Sequence, residues 1–188
     1  MDDETFDDED IARDAAAQRT IRITGEIDEE SSEKFILALH RATGIPGDIT
    51  VVISSDGGDI EEGLRIIDAL AIAKTKGCRV HTAVSGKAYS MAALVACAGD
   101  VRTIYAHSRM MFHPGRYEET DEGKPLTPKE LKEMYDELEM FNGIFKKILR
   151  NVGVPEQDCE RMMSGDVYLN AVEAISLGIM DSIENDVI

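Results

Sequence analysis

Cysteine is scarce in this chain of 188 residues, which contains three, at Cys78, Cys97 and Cys159. An odd number without paired spacing favours free, buried thiols in a reducing compartment over a disulfide framework. The four histidines are scattered along the chain, and no group of cysteines and histidines has the spacing of metal ligands. The sequence therefore predicts neither a disulfide-stapled fold nor a zinc site.

Long hydrophobic runs and positive charge are also scarce. The longest apolar run covers residues 91–98, which is far too short to span a membrane. Twenty Lys and Arg residues face 37 Asp and Glu residues, and the resulting net charge of −17 repels nucleic acid. The acidic N-terminal segment does not resemble a secretory signal. We expect a soluble cytoplasmic protein with no nucleic-acid or membrane partner.

The remaining composition predicts one folded domain preceded by an acidic segment. With 43% hydrophobic residues, a chain of this length can bury a substantial core. Residues 2–14 contain acidic side chains at eight positions and one basic residue, Arg13. Such a block is typical of a disordered, self-repelling tail, although a processed propeptide or a gating segment would have the same composition. We therefore divide the chain into residues 1–18, acidic and disordered, and a folded domain over residues 19–188.

Strand and helix patterns alternate along the folded part. Apolar alternation and β-branched runs predict strands at 21–24, 48–55, 78–86, 101–105, 109–113 and 179–183. Helical spacing, caps and glycine stops predict helices within 28–43, 59–77, 91–98, 127–153 and 170–178. Strands that alternate with helices indicate the α/β class with mostly parallel strands. The long polar loop over 115–130 has the size of a functional or mobile segment.

Ser90 lies where a predicted strand meets the buried helix of the segment GKAYSMAALVACAG. The first amide groups of a helix lack internal partners, so a serine there has its hydroxyl beside free N–H donors. A serine nucleophile and half of an oxyanion hole need that arrangement. Serine is also a common helix N-cap, and the local sequence by itself favours that simpler role.

Three further segments contain residues that could take part in binding or catalysis. Residues 54–59, SSDGGD, form a glycine turn whose amides could face a ligand, or an ordinary strand-to-helix turn capped by Asp59. His113 ends an apolar strand and could act as a general base. Asp166 precedes another apolar element and could orient such a base, although an aspartate there is more often a turn residue. Spacing alone does not show that these residues meet.

Five segments occur in the order found in one family. They are RTIRITGEID, ISSDGGDIEEGLRIIDAL, GKAYSMAALVACAG, HSRMMFHPG and SGDVYLNAVEAISLGIMDSI. These resemble the first strand, the Ser-Pro-Gly-Gly turn and its helix, the nucleophile segment, the histidine strand and the C-terminal acidic segment of the ClpP-type serine peptidases, the proteolytic subunits of the Clp protease. The resemblance covers about residues 19–183.

The resemblance implies a role for each candidate residue. Ser90 would be the nucleophile, His113 the general base and Asp166 the residue that orients the histidine. The backbone N–H groups of Gly58 and Met91 would form the oxyanion hole. The implied activity is that of a serine endopeptidase, which hydrolyses peptide bonds through an acyl-enzyme without metal or other cofactor.

The resemblance also implies an architecture and partners. It implies an α/β fold of ClpP/crotonase-like repeated β-β-α units with an extended handle helix, the handle region covering about residues 114–151. Family members form heptameric rings, usually stacked in pairs as a tetradecamer around a closed chamber. AAA+ unfoldases dock on outer apolar pockets of these rings and feed polypeptide substrates into the chamber. We therefore expect a homo-oligomeric ring.

The glycine turn and the strand before it depart from the family pattern. Asp56 occupies the position of the usual proline, while both glycines are kept. Thr50 and Val52 replace aromatic residues that belong to the unfoldase pocket. Docking of an ordinary unfoldase is therefore open.

The handle and the segment before Asp166 depart as well. The segment after His113 lacks the glycine pair and contains Pro125 and Pro128. Ser164 and Gly165 replace an acid–arginine pair that bridges the two rings in many members. These departures leave the stacking of rings open.

Several functions remain compatible with these features. The departures resemble ClpP-like peptidases of phages, including capsid-maturation proteases, which would act in the host cytoplasm without a standard unfoldase. A cellular paralogue, an inactive structural or regulatory ring subunit, and an acyl-CoA enzyme of the related crotonase fold are the alternatives. A fluorophosphonate probe separates peptidase from the last two, because only an active serine enzyme reacts at Ser90.

Overall fold

The computed structural model describes residues 19–117 and 126–184. Within these ranges the chain forms β1 (Thr20–Ile27), α1 (Glu29–Ala42), β2 (Gly47–Gly58), α2 (Ile60–Thr75), β3 (Cys78–Tyr89), α3 (Met91–Ala96), β4 (Val101–Tyr105), β5 (Arg109–Phe112), α4 (Pro128–Asn151), α5 (Glu156–Met162), β6 (Val167–Asn170), α6 (Ala171–Ser176) and β7 (Ser182–Glu184). The predicted acidic tail lies outside the described residues, so the division of the chain at residue 18 stays a prediction.

The strands form a mostly parallel sheet, which confirms the α/β class. The order is β1-β2-β3-β4-β7, and each of these neighbouring pairs is parallel. Strand β5 leaves this path and pairs in parallel with β3, while β6 pairs with β5 in the antiparallel direction. The sheet therefore has a side branch, formed by β5 and β6, that begins at β3.

The length of β3 explains the branch. Residues 81–84 of this strand pair with β4, and residues 87–89 pair with β5. Two different strands thus share one edge of β3 at successive points along its length. The N–H of Ser90, which follows β3 directly, donates to the carbonyl of Met111 in β5 at 2.8 Å. The branch consequently anchors Ser90 beside the end of β5.

The helix starts follow local capping signals. The Asp28 side chain accepts from the backbone N–H of Ser31 and begins α1, as the acid- and serine-rich sequence predicts. Thr127 caps α4, and Pro128 is the first residue of that helix, where no backbone N–H is needed. The helix predicted within 127–153, with its proline near the start, is therefore confirmed. Pro125 lies outside the described residues.

The core lies between the sheet and its helices. All six residues of α3 are buried, and the inward-facing residues of β1 and β2 alternate with exposed or half-buried ones. The three cysteines are free and buried, as predicted, and burial raises the pKa of the Cys97 thiol to about 12. Among the described helices, none is both long and apolar enough to cross a bilayer.

Two elements, α5 and β6, have no counterpart in the sequence-based prediction. Helix α5 has seven residues, of which only Cys159 and Met162 are buried, so its apolar signal is weak. Strand β6 has four residues and alternates between exposed and partly or fully buried positions. Its pairing with β5 depends on a distant segment, which a local pattern does not reveal. Strand β5 ends at Phe112, one residue before the predicted end, so His113 lies just beyond it.

Candidate active site

Ser90 adopts a backbone conformation that is rare for a residue with a side chain. Its φ is 54° and its ψ is −127°, and among the described non-glycine residues only Arg19 shares a positive φ. Backbone strain of this kind concentrates at functional sites, including the strand-to-helix turns that expose a nucleophilic serine. The Ser90 side chain makes no hydrogen bond that caps α3. The simpler role, an ordinary N-cap, is therefore not adopted, and the hydroxyl is available for other chemistry.

The glycine pair lies directly against Ser90 and β1. Gly57 has φ +97°, and a Cβ atom there would lie 2.6 Å from the Tyr89 carbonyl oxygen and 2.7 Å from the Ser90 Cβ. Gly58 has φ +149°, and a Cβ atom there would lie 2.2 Å from the Ile27 carbonyl oxygen. Both the backbone angles and the lack of space require glycine here. The turn can therefore approach Ser90 more closely than any other residue type would permit.

The amide of Met91 belongs to the same place. Met91 is the first residue of α3, so its N–H has no partner within the helix. A Cβ atom on Gly57 would lie only 3.1 Å from the Met91 nitrogen, which shows how closely the glycine turn and this amide approach each other. Two segments that can supply backbone donors thus meet beside the Ser90 side chain.

Ser55 supports the glycine turn and was not singled out from the sequence. Its fully buried hydroxyl donates to the Gly25 carbonyl at 2.6 Å and accepts from the Gly57 N–H at 3.0 Å. Asp59, the alternative cap considered for this turn, does begin α2 by accepting from the Glu62 N–H at 2.9 Å. A serine two residues before a glycine pair is a weak signal, because only the fold shows that its hydroxyl is enclosed.

The antiparallel pairing of β5 with β6 brings His113 and Asp166 into neighbouring positions. In this register Phe112 lies opposite Val167. His113 is the residue after Phe112 and Asp166 is the residue before Val167, so each lies one step beyond the same pair. A separation of more than 50 residues in the sequence is thereby reduced to adjacent strand ends.

The side chains of the three predicted catalytic residues do not bond to one another. Among the described residues, no hydrogen bond joins Ser90 to His113 or His113 to Asp166. The His113 Nδ1 instead lies 2.6 Å from the Pro114 carbonyl oxygen. The Arg116 guanidinium bonds to the Asp166 carboxylate as an ion pair. The fold therefore gathers the residues, while two other contacts occupy the histidine and the aspartate.

A cavity of about 880 Å³ collects most of the predicted site residues. Its lining includes four of the predicted site residues, namely Ser90, Met91, Gly58 and His113. Asp166 contacts the cavity indirectly, through its ion pair with the lining residue Arg116. Its apolar lining includes Ile60, Leu94, Leu138, Phe141 and Phe145. The cavity thus combines a hydroxyl, an imidazole and two candidate backbone donors with an apolar wall.

The charged lining of the cavity is mostly acidic. Among the described residues that line it, Arg116 is the one Lys or Arg side chain, and the carboxylates are those of Glu26, Asp56, Asp59, Glu61 and Glu137. Tyr117 donates to Glu137. A cavity with this imbalance attracts cationic segments of a ligand more strongly than anionic ones. In the described part of the chain, no three His, Cys, Asp or Glu side chains are arranged to hold a metal ion.

Comparison with known proteins identifies the family. The family model described as "Clp protease" matches residues 3–186. The chain belongs to the Clp protease family. The ATP-dependent Clp protease proteolytic subunit 2 of Thermobifida fusca is 28% identical over 171 residues, which cover 88% of this chain and 80% of the relative.

Two further relatives have related names. The ATP-dependent Clp protease proteolytic subunit 3 of Rhodococcus jostii is 30% identical over 171 residues, covering 88% of this chain and 81% of the relative. The chloroplastic proteolytic subunit 3 of Arabidopsis thaliana is 28% identical over 186 residues, covering 97% of this chain and 58% of the relative. Membership of the family supports a peptidase, and the resemblance seen in the sequence is confirmed.

One departure from the Clp protease pattern now has a structural context. Asp56, which replaces the usual proline next to the glycine pair, forms an ion pair with Lys87 of β3, with an Nζ to Oδ2 distance of 2.6 Å. The pair ties the glycine turn to the strand that leads to Ser90. Thr50 and Val52, the replacements in the expected unfoldase pocket, are half-buried in β2.

Proposed function

We propose that this Clp protease family member is a serine endopeptidase that uses Ser90 as its nucleophile. The observation that carries the proposal is the state of Ser90, whose strained backbone and uncommitted hydroxyl lie in the same cavity as His113. A serine that served only to begin a helix would have extended backbone angles and a cap bond. Neither is present at Ser90.

In the proposed reaction, the His113 Nε2 removes the proton from the Ser90 hydroxyl as its oxygen attacks the peptide carbonyl. The N–H groups of Gly58 and Met91 donate to the oxyanion that forms. His113 then transfers the proton to the leaving amine, and the acyl group stays on Ser90. The same imidazole then deprotonates a water molecule, whose oxygen attacks the acyl carbonyl. The ester bond to Ser90 breaks, the Ser90 oxygen takes the proton back from His113, and the second product leaves. Asp166 orients His113 during both steps.

The assembly and partners are part of the same proposal. Polypeptide substrates are hydrolysed inside a ring of identical subunits, and a Clp-type ATPase is the candidate that delivers them. The acidic lining of the cavity favours substrate segments that carry Lys or Arg near the cleaved bond. A cytoplasmic location stays a prediction from composition.

The test is covalent labelling with a fluorophosphonate probe together with hydrolysis of a fluorogenic peptide. We expect the wild-type protein to be labelled at Ser90. The Ser90→Ala variant should lose labelling and about 10⁴-fold or more of its peptidase rate while its assembly is unchanged, because the substitution removes the nucleophile and little volume.

Ser164→Ala provides a matched control for this test. Ser164 is an exposed serine outside the lining of the cavity, so this variant should keep both activities. Hydrolysis of the peptide by purified Ser90→Ala protein at the wild-type rate would contradict the assignment of Ser90.

A second candidate function is that of an inactive subunit of a peptidase ring. It is favoured by one observation, namely that Asp166 pairs with Arg116 and that the His113 Nδ1 lies against the Pro114 carbonyl. If this arrangement is permanent, the probe will not label Ser90 in a correctly assembled protein. Labelling with normal assembly decides in favour of the peptidase.

A further inference from the structure

Two contacts beside His113 compete with a working triad. The Pro114 carbonyl can only accept, so the His113 Nδ1 must carry a proton and donate it along the 2.6 Å contact. Nδ1 has one proton to donate, and Asp166 needs that same proton in order to orient the ring. The Asp166 carboxylate, for its part, binds Arg116.

We propose that Arg116 is a positioning residue that holds Asp166 away from His113 until a substrate enters the cavity. The inference rests on the proposed function, because it assigns a control element to the same site. The two arrangements exchange one set of bonds for another. In the first, Arg116 binds Asp166 and Pro114 binds His113. In the second, Asp166 accepts the proton of the His113 Nδ1 and Arg116 binds elsewhere.

The position of Arg116 makes the exchange responsive to substrate. Arg116 lines the cavity, whereas Asp166 lies outside its lining. A peptide bound in the cavity presents backbone carbonyl oxygens, which are acceptors for a guanidinium group. Binding of the substrate peptide thereby offers Arg116 an alternative partner and frees Asp166. The substrate itself would then complete the triad.

The exposure of the pair makes the contact easy to break. The side chains of Arg116 and Asp166 are 56% and 42% exposed, so water screens their attraction. The backbones of His113 and Asp166 already lie next to each other for the other arrangement, because they flank the paired residues Phe112 and Val167. The exchange therefore requires no new strand pairing between these segments.

The experiment measures kcat/KM for a short fluorogenic peptide in the assembled full-length chain. The Arg116→Gln variant removes the ion pair but keeps an amide N–H donor for a peptide carbonyl, so it should raise kcat/KM about two- to fivefold, which matches the strength of an exposed ion pair. Arg116→Lys keeps the charge and should remain close to wild type. Because Arg116 is exposed, neither substitution disturbs the core.

Two further variants test whether the gain depends on Asp166. In the Asp166→Asn background, Arg116→Gln should give no increase, because no carboxylate remains to be released. Arg150→Gln is the matched control, since Arg150 forms an exposed ion pair with Glu156 and lies outside the cavity lining. This control should leave kcat/KM unchanged.

The outcomes separate this inference from the proposed function. Absence of fluorophosphonate labelling in both wild type and Arg116→Gln overturns the proposed function and the inference with it. Labelling of wild type, combined with an unchanged or lowered kcat/KM in Arg116→Gln, overturns the inference alone. An equal rise in the Asp166→Asn background, or in the Arg150→Gln control, also overturns it.

Discussion

Two adjacent serines, Ser54 and Ser55, show how one residue can determine the geometry of the candidate oxyanion hole. Ser55 is fully buried and its hydroxyl connects the Gly25 carbonyl to the Gly57 N–H. Ser54 is half-buried and does not hold the turn in this way. The pair therefore provides a substitution and its control at neighbouring positions.

The Ser55→Ala variant should be destabilised and less active. Loss of the hydroxyl leaves the buried Gly57 N–H without its acceptor, which costs about 1–3 kcal/mol. We expect kcat to fall by about tenfold or more with a smaller change in KM, because outright loss of one oxyanion donor lowers kcat by about 10²–10³-fold. Thermal unfolding and steady-state peptide hydrolysis measure the two effects.

Ser54→Ala should leave both quantities close to wild type. Equal losses in the two variants would show that the whole segment is merely sensitive to substitution. An unchanged kcat in Ser55→Ala would show that the glycine turn keeps its geometry without the hydroxyl.

At the scale of elements, a group of hydrogen bonds between Arg102 of β4 and Asp181, the residue before β7, holds the last strand in place. The Asp181 carboxylate accepts from the backbone N–H of Arg102 at 2.8 Å and from its guanidinium at 2.5 Å. In return the Asp181 N–H donates to the Arg102 carbonyl at 2.8 Å. The side-chain hydrogen bond from Arg102 lowers the pKa of the Asp181 carboxyl below its ordinary value of 3.8.

The lowered pKa of Asp181 predicts a dependence of stability on pH. A carboxyl whose pKa is lower in the folded state stabilises the fold above its ordinary value, and the contribution is lost as the pH falls through the lowered pKa. Asp181→Asn should therefore reduce the free energy of unfolding by about 1 kcal/mol at pH 7, after allowance for solvent screening. The difference from wild type should shrink as the pH falls below 3.8.

Asp136→Asn is the control for this prediction. Asp136 forms an exposed ion pair with Lys132 within α4, so its replacement should change stability by less than about 0.5 kcal/mol. Urea unfolding at one protein concentration, repeated from pH 7 downward, compares the three proteins. If the difference in free energy of unfolding between wild type and Asp181→Asn stays constant as the pH falls below 3.8, the ionised Asp181 carboxylate is not the source of that difference.

At the scale of the whole molecule, the family resemblance predicts association into a ring, and exposed apolar side chains offer a surface for it. Three large apolar side chains of α4 are exposed in the isolated subunit, those of Leu131, Tyr135 and Met140. Exposed apolar patches of this kind mark interaction surfaces, and cyclic closure makes each interface equivalent. With a net charge of −17, however, we expect the like-charged surfaces of two such rings to repel each other.

We expect a heptameric ring that stacks into a tetradecamer weakly at low ionic strength and more strongly at high ionic strength. Salt screens the repulsion between acidic surfaces. Ser164 and Gly165 lack the charges of the bridge between rings that the family resemblance implies. Sedimentation velocity at low and high salt measures the distribution. A stable double ring at low salt and low protein concentration would show that other contacts join the rings.

A restored charge pair makes the stacking prediction sharper. The double variant Ser164→Asp with Gly165→Arg should increase the fraction of double rings at low salt. A side chain fits at position 165, because a Cβ atom there meets nothing within 4 Å. Ser164→Asp alone adds only negative charge and should not increase stacking. If the double variant does not increase the fraction of double rings, or if Ser164→Asp alone increases it, these two positions do not lie at the interface between rings.

The sequence by itself determined the local features of this protein. Asp28, Asp59 and Thr127 begin helices where their types and positions predict, because a cap needs only the amides of the next turn. The strand at 101–105 and the free, buried cysteines likewise follow from short patterns. The order of five sequence motifs was sufficient to identify the family, because each motif forms its local geometry from neighbouring residues.

Only the tertiary structure decided how the candidate site is assembled. The branch of β3 places Ser90 beside β5, and the register of β5 with β6 places His113 beside Asp166. The ion pair between Arg116 and Asp166 joins residues 50 positions apart, and no local pattern predicts it. Such contacts depend on strand register and burial, which arise when distant segments pack together, so the sequence alone could not reveal them.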